Sequence, residues 1–242
     1  MAESTRSADM RGEAIVHEYM NRYFYQVVQN FKLLPLVASY KDITDRDMQL
    51  RGIDEQAVLT SGRVLNIDEK CALNYINENL PTFAFETAWF RNGSQMNGWF
   101  LNDDLETNYY YLMWLRGKHK YDDYTGAELF KYDYAKQIDL EDISSVELYP
   151  IQKYKLRKYL HSIGLSKEQI LEISNDMIQQ NTKQYVFNRD IKFFHSVHLN
   201  EQPVNVVINK RILKENADSI YVITPDRIIR NNALMFDALG TM

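Results

Sequence analysis

Arg51-Gly52-Ile53-Asp54 and, beyond a Thr60-Ser61-Gly62 turn, Val64-Leu65-Asn66-Ile67-Asp68-Glu69-Lys70 set two acids and a lysine on what reads as a tight β-hairpin. Along an extended segment side chains alternate faces. Val64, Asn66, Asp68 and Lys70 therefore share one side, and Leu65, Ile67, Glu69 and Cys71 the other. The pattern predicts a first strand over residues 47–59 and a second over 63–71. The small residues and glycine between them are turn chemistry that folds the second strand back antiparallel to the first. Asp54 is then expected beside Asp68. Two converging carboxylates repel each other unless a cation sits between them, and hard oxygen ligands with vacant positions for water and phosphate suit Mg²⁺. Lys70 adds positive charge beside that centre, suited to orienting or deprotonating an attacking water or to offsetting charge on phosphorus.

Gly52-Ile53-Asp54, a short hairpin and then Ile67-Asp68-Glu69-Lys70 resemble the PD-(D/E)XK nuclease superfamily over roughly residues 10–115. The resemblance implies a restriction-endonuclease-like α/β (α+β) fold, a mixed central sheet flanked by helices. It also implies a Mg²⁺- or Mn²⁺-dependent DNA endonuclease. Carried over residue by residue, Asp54 and Asp68 would bind the metal together with the backbone carbonyl of Glu69, and Lys70 would assist the nucleophile. Ile53 stands where many members have proline. Many members place a glutamate on a helix before the hairpin, near a glycine. Gly12-Glu13-Ala14-Ile15-Val16 resembles the start of that helix, which makes Glu13 the candidate and Glu18 the second choice. A homodimer that cuts two strands is an expectation from the resemblance only.

Composition agrees with a soluble globular chain: 242 residues, 45% of them hydrophobic and 25% charged, are enough for a substantial core. No apolar run approaches the ~20 residues that span a bilayer, and Met1-Ala2-Glu3-Ser4-Thr5-Arg6 lacks an apolar signal region, so the expected location is cytoplasmic with no membrane partner. A single cysteine excludes an internal disulfide and a multi-cysteine zinc site, and Cys71 reads as a small buried apolar residue. The net charge of −5 argues against a protein that coats nucleic acid, although an enzyme needs only a local basic surface. Three clusters are candidates: Arg116 with Lys118, His119 and Lys120; Lys153, Lys155, Arg157 and Lys158; and Lys210, Arg211 and Lys214. Each such cluster is more often simply a solvated face.

Outward from the hairpin, residues 7–29 predict a first helix with Ser7 as N-cap, on the spacing of Ala8, Ile15, Tyr19, Tyr23 and Val27. Residues 82–89 and 107–115 predict strands, with turns at Asn92-Gly93-Ser94 and Asn97-Gly98 between them. Glu86 shares a strand face with Thr82 and Ala84, opposite Phe83 and Phe85, and is a candidate supporting ligand next to the hairpin. Gln49, on the predicted first strand, is another. Residues 151–163 and 166–180 predict a helix pair joined at Gly164, with Ser166 and Gln169 at capping-box spacing. Strands at 184–187, 191–197, 204–208 and 219–224 and a helix near 212–216 follow. His195 and His198, three apart on a predicted strand, fall on opposite faces and read as ordinary polar positions. Without repeats, low-complexity tracts or a linker, residues 1–242 read as one nuclease-like unit. Its core spans about 8–115, and an extension over about 122–242 completes the sheet or covers the groove.

Three rival readings accompany this one. The first is an inactive nuclease-fold protein that binds nucleic acid or protein. The second is a resolvase, exonuclease or RNA-directed member of the same superfamily. The third is an unrelated α/β interaction domain whose acids are surface decoration.

Overall fold

The computed structural model describes residues 5–91, 94–129 and 131–237. Helix α1 (Thr5–Met20) passes through a π-helical turn, Asn21–Tyr25, into α2 (Gln26–Asn30). Then come β1 (Val37–Asp42), α3 (Arg46–Leu50), β2 (Glu55–Leu59), β3 (Val64–Cys71), β4 (Thr82–Arg91), β5 (Ser94–Asn97) and β6 (Tyr109–Gly117). The second half runs α4 (Lys131–Lys136), β7 (Ile143–Gln152), α5 (Lys153–Ser162), α6 (Lys167–Gln179), β8 (Gln184–Val186), β9 (Ile191–His195) and β10 (Val204–Asn209). It closes with α7 (Lys210–Asn216), β11 (Tyr221–Ile223), β12 (Arg227–Arg230) and β13 (Ala233–Asp237).

The strands form two sheets, making a mixed α+β chain. The larger has the order β1-β2-β3-β6-β7-β11-β12-β13, and the smaller β5-β4-β10-β9-β8. Among the described residues every strand pairing is antiparallel except β3 with β6, where Asp68 stands opposite Tyr110 and Lys70 opposite Leu112. β6 is buried on both faces, as a central strand requires. Tyr111, Met113 and Leu115 enter one core with Val16, Tyr19, Met20 and Phe24 of the long helix. Tyr110, Leu112 and Trp114 enter a second core between the sheets, with Phe83 and Phe85 of β4 and Val206 of β10. The long helix thus covers one face of the large sheet. The small sheet, with Leu156 of α5, Ile170 of α6 and Leu213 of α7 in the same core, covers the other.

The predicted hairpin forms, with Ala57 opposite Leu65 and Glu55 opposite Ile67. Its first strand is shorter than expected because residues 46–50 are helical: Asp45 caps them by accepting the Met48 N–H at 2.9 Å, so Gln49 sits on a helix rather than a strand. Gly52 stops that helix at φ +75°, and a Cβ there would lie 2.7 Å from Thr107 Oγ1. Ser7 is inside α1, which already includes Thr5, so it is not the N-cap.

β4 is not beside the hairpin. It pairs with β10, Phe85 opposite Val206, in the small sheet. Residues 143–152, which carried no strand expectation, form β7, with Pro150 opposite Tyr111 of β6. The helix predicted from 151 accordingly begins at Lys153. The Ser166/Gln169 capping box forms as predicted. His195 ends β9 while His198 lies beyond it. The predicted turn residues Asn92 and Gly93 and the terminal segments 1–4 and 238–242 lie outside the described residues. Among the described residues no helix is long and apolar enough to cross a membrane.

Candidate functional site

The antiparallel register that sets Glu55 opposite Ile67 continues one step outward to bring Asp54 alongside Asp68. The Asp54 carboxylate lies close enough to Asp68 for its charge to raise the cost of charging Asp68. Asp54 Oδ2 also accepts the backbone N–H of Glu69 at 2.8 Å, which ties the end of β2 to β3. Two residues along the strand on the same face, Lys70 Nζ makes an ion pair with Asp68 Oδ1. It lies 3.5 Å from the Glu69 carbonyl oxygen, which projects to the same strand edge as the Glu69 N–H, and 5.2 Å from the centre of the Trp99 ring.

Asp68 is 2% exposed, and that burial pushes its carboxyl up to about 7 although Lys70 pulls the other way. Burial also opposes the Lys70 charge, but Asp68 and Asp54 outweigh it and hold the ammonium above the ordinary lysine range. Tyr110, next to Asp68 across the parallel ladder, keeps a buried hydroxyl with no hydrogen-bond partner.

A cleft of about 650 Å³ opens where α1 crosses the end of β3. Asp54, Glu69 and Lys70 line it from the hairpin, Glu13 and His17 from α1, and Gln49 with Arg46 from α3. Glu13 is close enough for its charge to raise the pKa of Lys70. Gln49 donates Nε2–H to the Ile43 carbonyl at 3.0 Å and so braces the wall of the cleft. Glu18, five residues beyond Glu13 on the helix, is exposed and does not join this lining. Glu86 is also outside the lining, but its carboxylate accepts the Trp99 N–H and lies within electrostatic reach of Lys70. Burial, followed by the nearby charge of Glu201, lifts Glu86 to about 7.

The basic cluster on α5 turns largely inward. Lys153 Nζ donates to the carbonyls of Asn102 at 3.2 Å and Leu105 at 3.4 Å, and burial with the Arg157 charge lowers it to about 8. Arg157 bonds the Phe100 carbonyl and pairs with Asp103 at 2.6 Å, and Lys155 reaches Asp218 at 3.4 Å. Lys158 is exposed. In the other two clusters Lys120 pairs with Asp142, and Lys210 pairs with Glu147 at 2.5 Å. Arg211 pairs with Asp190 at 2.7 Å and with Glu215 at 2.9 Å.

The opposite face of the hairpin carries a group that the sequence reading did not assemble. His17 Nδ1 bonds Glu69 Oε2 at 2.8 Å and its Nε2 bonds Asp42 Oδ1 at 3.1 Å, while Tyr25 OH donates to Glu69 Oε1. Hydrogen bonding to Glu69, against the cost of burial, raises His17 to about 9. Glu55, 1% exposed, stands beside them and is pushed to about 8 by burial and by the Glu69 charge. Its period-2 partnership with Ala57 was the only available cue, since a lone glutamate at a strand start gives no sign of a histidine 38 residues earlier.

Asp54, Asp68 and the Glu69 carbonyl form an all-oxygen donor set, with Glu13 across the cleft. This fits a hard divalent cation in chemistry, and the repulsion between the two aspartates is what such an ion relieves. Comparison with known proteins gives no match: no family model fits the chain, and neither a curated protein nor a solved structure is similar to it.

Proposed function

We propose that this chain is a divalent-metal-dependent DNA endonuclease that hydrolyses phosphodiester bonds at Asp54, Asp68 and Lys70, with Glu13 assisting. The observation that carries the reading is the convergence of two interacting carboxylates and one lysine on a single face of β2 and β3, beside a cleft. The order of elements supports it: a helix, three antiparallel strands, then a strand parallel to the third, in a mixed sheet as in the restriction-endonuclease-like arrangement. One departure is that a second sheet, besides helices, covers the far face.

Mg²⁺ or Mn²⁺ held by Asp54, Asp68 and the Glu69 carbonyl would polarise a phosphoryl oxygen and supply a hydroxide-like nucleophile near neutral pH. The remaining work falls to the chain. The Glu69 N–H holds Asp54 in one orientation. Lys70, protonated and steered by Asp68, offsets the negative charge that builds on phosphorus. Glu13 approaches from α1 to orient water, and exposed Arg46 at the cleft attracts the phosphate backbone. Glu86 supports Lys70 from the small sheet.

The test is conversion of supercoiled plasmid by the purified chain with Mg²⁺ or Mn²⁺, against EDTA and against Asp68→Ala and Lys70→Ala, folding being checked by circular dichroism. Metal-dependent nicking lost in both folded variants is the expected result. Nicking that survives either substitution, or no nicking under any condition, rejects the reading. One observation favours a second reading, an inactive nuclease-fold binding protein: Asp68 is deeply buried and already neutralised by Lys70. That protein would take up no Mg²⁺ on this face.

A further inference from the structure

The strongest group outside the Asp54/Asp68/Lys70 face lies on the other side of the same hairpin, where α1, the edge strand β1 and the first residue of β2 meet. His17, Asp42 and Glu55 each bring one donor atom there, all within 4.8 Å of one another. A cluster of acids alone would mean little, but two independent features set this one apart.

First, Glu55 is 1% exposed and its Oε1 has no hydrogen-bond partner. A buried carboxylate oxygen without a donor loses its hydration with nothing in return, so such an atom calls for an explanation. Among the described residues no lysine or arginine side chain bonds or pairs with Glu55. Second, the His17 ring is already held as a metal-ligating imidazole would be. Nδ1 is fixed by Glu69 at 2.8 Å, and Glu69 is itself fixed by the Tyr25 hydroxyl from the π-helical turn. That leaves Nε2 directed at the carboxylates. A carboxylate holding the far nitrogen of a histidine sets its tautomer and orientation for coordination. A π-helical turn is itself an irregularity found often at functional sites, and here it is what carries Tyr25 inward beside Phe24.

We propose that His17 Nε2, Asp42 and Glu55 form a second metal site, for a divalent transition metal of the Zn²⁺, Mn²⁺ or Co²⁺ kind, with Glu69 and Tyr25 as positioning residues. One imidazole nitrogen with two carboxylates, and room for water toward the cleft, is a donor set that favours these ions over Mg²⁺ and Ca²⁺. Ligand bonds of ~2.1 Å would bring the donor atoms to within roughly 3.5 Å of one another. Exposed Asp42 can supply most of that movement, its side chain being 42% exposed. The ion would join α1 to β1 and β2 and complete the wall of the cleft opposite Asp54. The site stands independently of the nuclease reading, because none of its three ligands is used in that reading and Glu55 is on the other face of β2 from Asp54.

The experiment is isothermal titration of the full chain with Zn²⁺ and, separately, with Mg²⁺, together with the visible absorption of Co²⁺. It is run in an Asp54→Asn/Asp68→Asn background that removes the other carboxylate pair. One Zn²⁺ per chain, binding at least 10-fold tighter than Mg²⁺, is expected in that background. Asp42→Asn and His17→Gln added singly should each weaken it at least 10-fold, with loss of the Co²⁺ band in His17→Gln. Glu55→Gln should do the same, and Asp42→Asn, at an exposed position, guards against a folding artefact. No Zn²⁺ uptake in the background, or uptake unchanged by both Asp42→Asn and His17→Gln, overturns the proposal. Zn²⁺ uptake that follows this pattern, while the chain with Asp54 and Asp68 intact nicks no plasmid with Mg²⁺ or Mn²⁺, would reject the nuclease reading alone.

Discussion

The backbone N–H of Glu69 donates to the Asp54 carboxylate at 2.8 Å, so the end of β2 is locked to the strand that carries Asp68 and Lys70. Without this bond the Asp54 side chain would be free to turn away from Asp68, although the Asp54 backbone is itself held by its N–H to the Ile67 carbonyl at 2.9 Å. Asp54→Asn keeps an acceptor for the N–H while removing one of two repelling charges. The expected outcome is a melting temperature equal to or above wild type, with plasmid nicking reduced about 10²-fold or more, a size typical of losing one charge-stabilising group. Thermal denaturation and a nicking time course check both halves.

Lys70→Met leaves Asp68 buried without its cation. Breaking a buried pair from one side costs about 3–5 kcal/mol, part of which Asp68 recovers by taking up a proton. Urea denaturation should therefore show a loss of about 2–4 kcal/mol at pH 8. Asp68→Asn combined with Lys70→Met should regain most of it. A double variant no more stable than Lys70→Met would refute the coupling.

Glu86 is raised to about 7 by burial and by Glu201. Its folded value lies above the unfolded one, so the neutral acid contributes stability that is fully present below about pH 4.5 and is lost as pH rises through 7. Glu86→Gln, which retains an acceptor for the Trp99 N–H, should be near neutral at pH 4.5 and stabilising by on the order of 2 kcal/mol at pH 8. Melting temperatures of both chains from pH 4.5 to 8.5 give the answer. Parallel curves would sink the assignment.

Arg46 and Lys153 make opposite predictions for DNA. Arg46 is exposed at the cleft, whereas Lys153 is spent on two backbone carbonyls. Arg46→Ala should weaken binding to a short duplex and reduce the slope of log affinity against log salt by about 1. Lys153→Met should leave that slope unchanged. Fluorescence anisotropy at several salt concentrations separates them, and the reverse ranking would move the DNA path to α5.

Phe85 is fully buried where the sheets meet, its ring 4.9 Å from Phe100 and 6.2 Å from Tyr110. Phe85→Ala should cost about 3–5 kcal/mol. Because Tyr110 adjoins Asp68, the same change should lower nicking more than a surface truncation such as Tyr124→Ala, which removes a side chain that is 98% exposed. Equal activity in the two variants would show that the packing between the sheets does not hold the site.

The sequence by itself determined the hairpin. Period-2 alternation and the Ser61-Gly62 turn suffice to fold β3 onto β2, and that register obliges Asp54, Asp68 and Lys70 to share a face. The Ser166/Gln169 cap was legible for the same reason, since it depends on neighbours a few residues apart. The helical turn at 46–50 escaped because five residues carry too little periodicity to compete with the strand pattern that follows. β7 escaped because Pro150 and two serines, Ser144 and Ser145, read as a break until β6 and β11 flank it. Only the tertiary structure decided that β4 leaves the hairpin to pair with β10, that Lys153 and Arg157 turn inward, and that His17, Asp42 and Glu55 meet. Those outcomes depend on contacts between residues distant in sequence. Which of them form is settled by how two cores are filled at once, a constraint that no local pattern of side chains records.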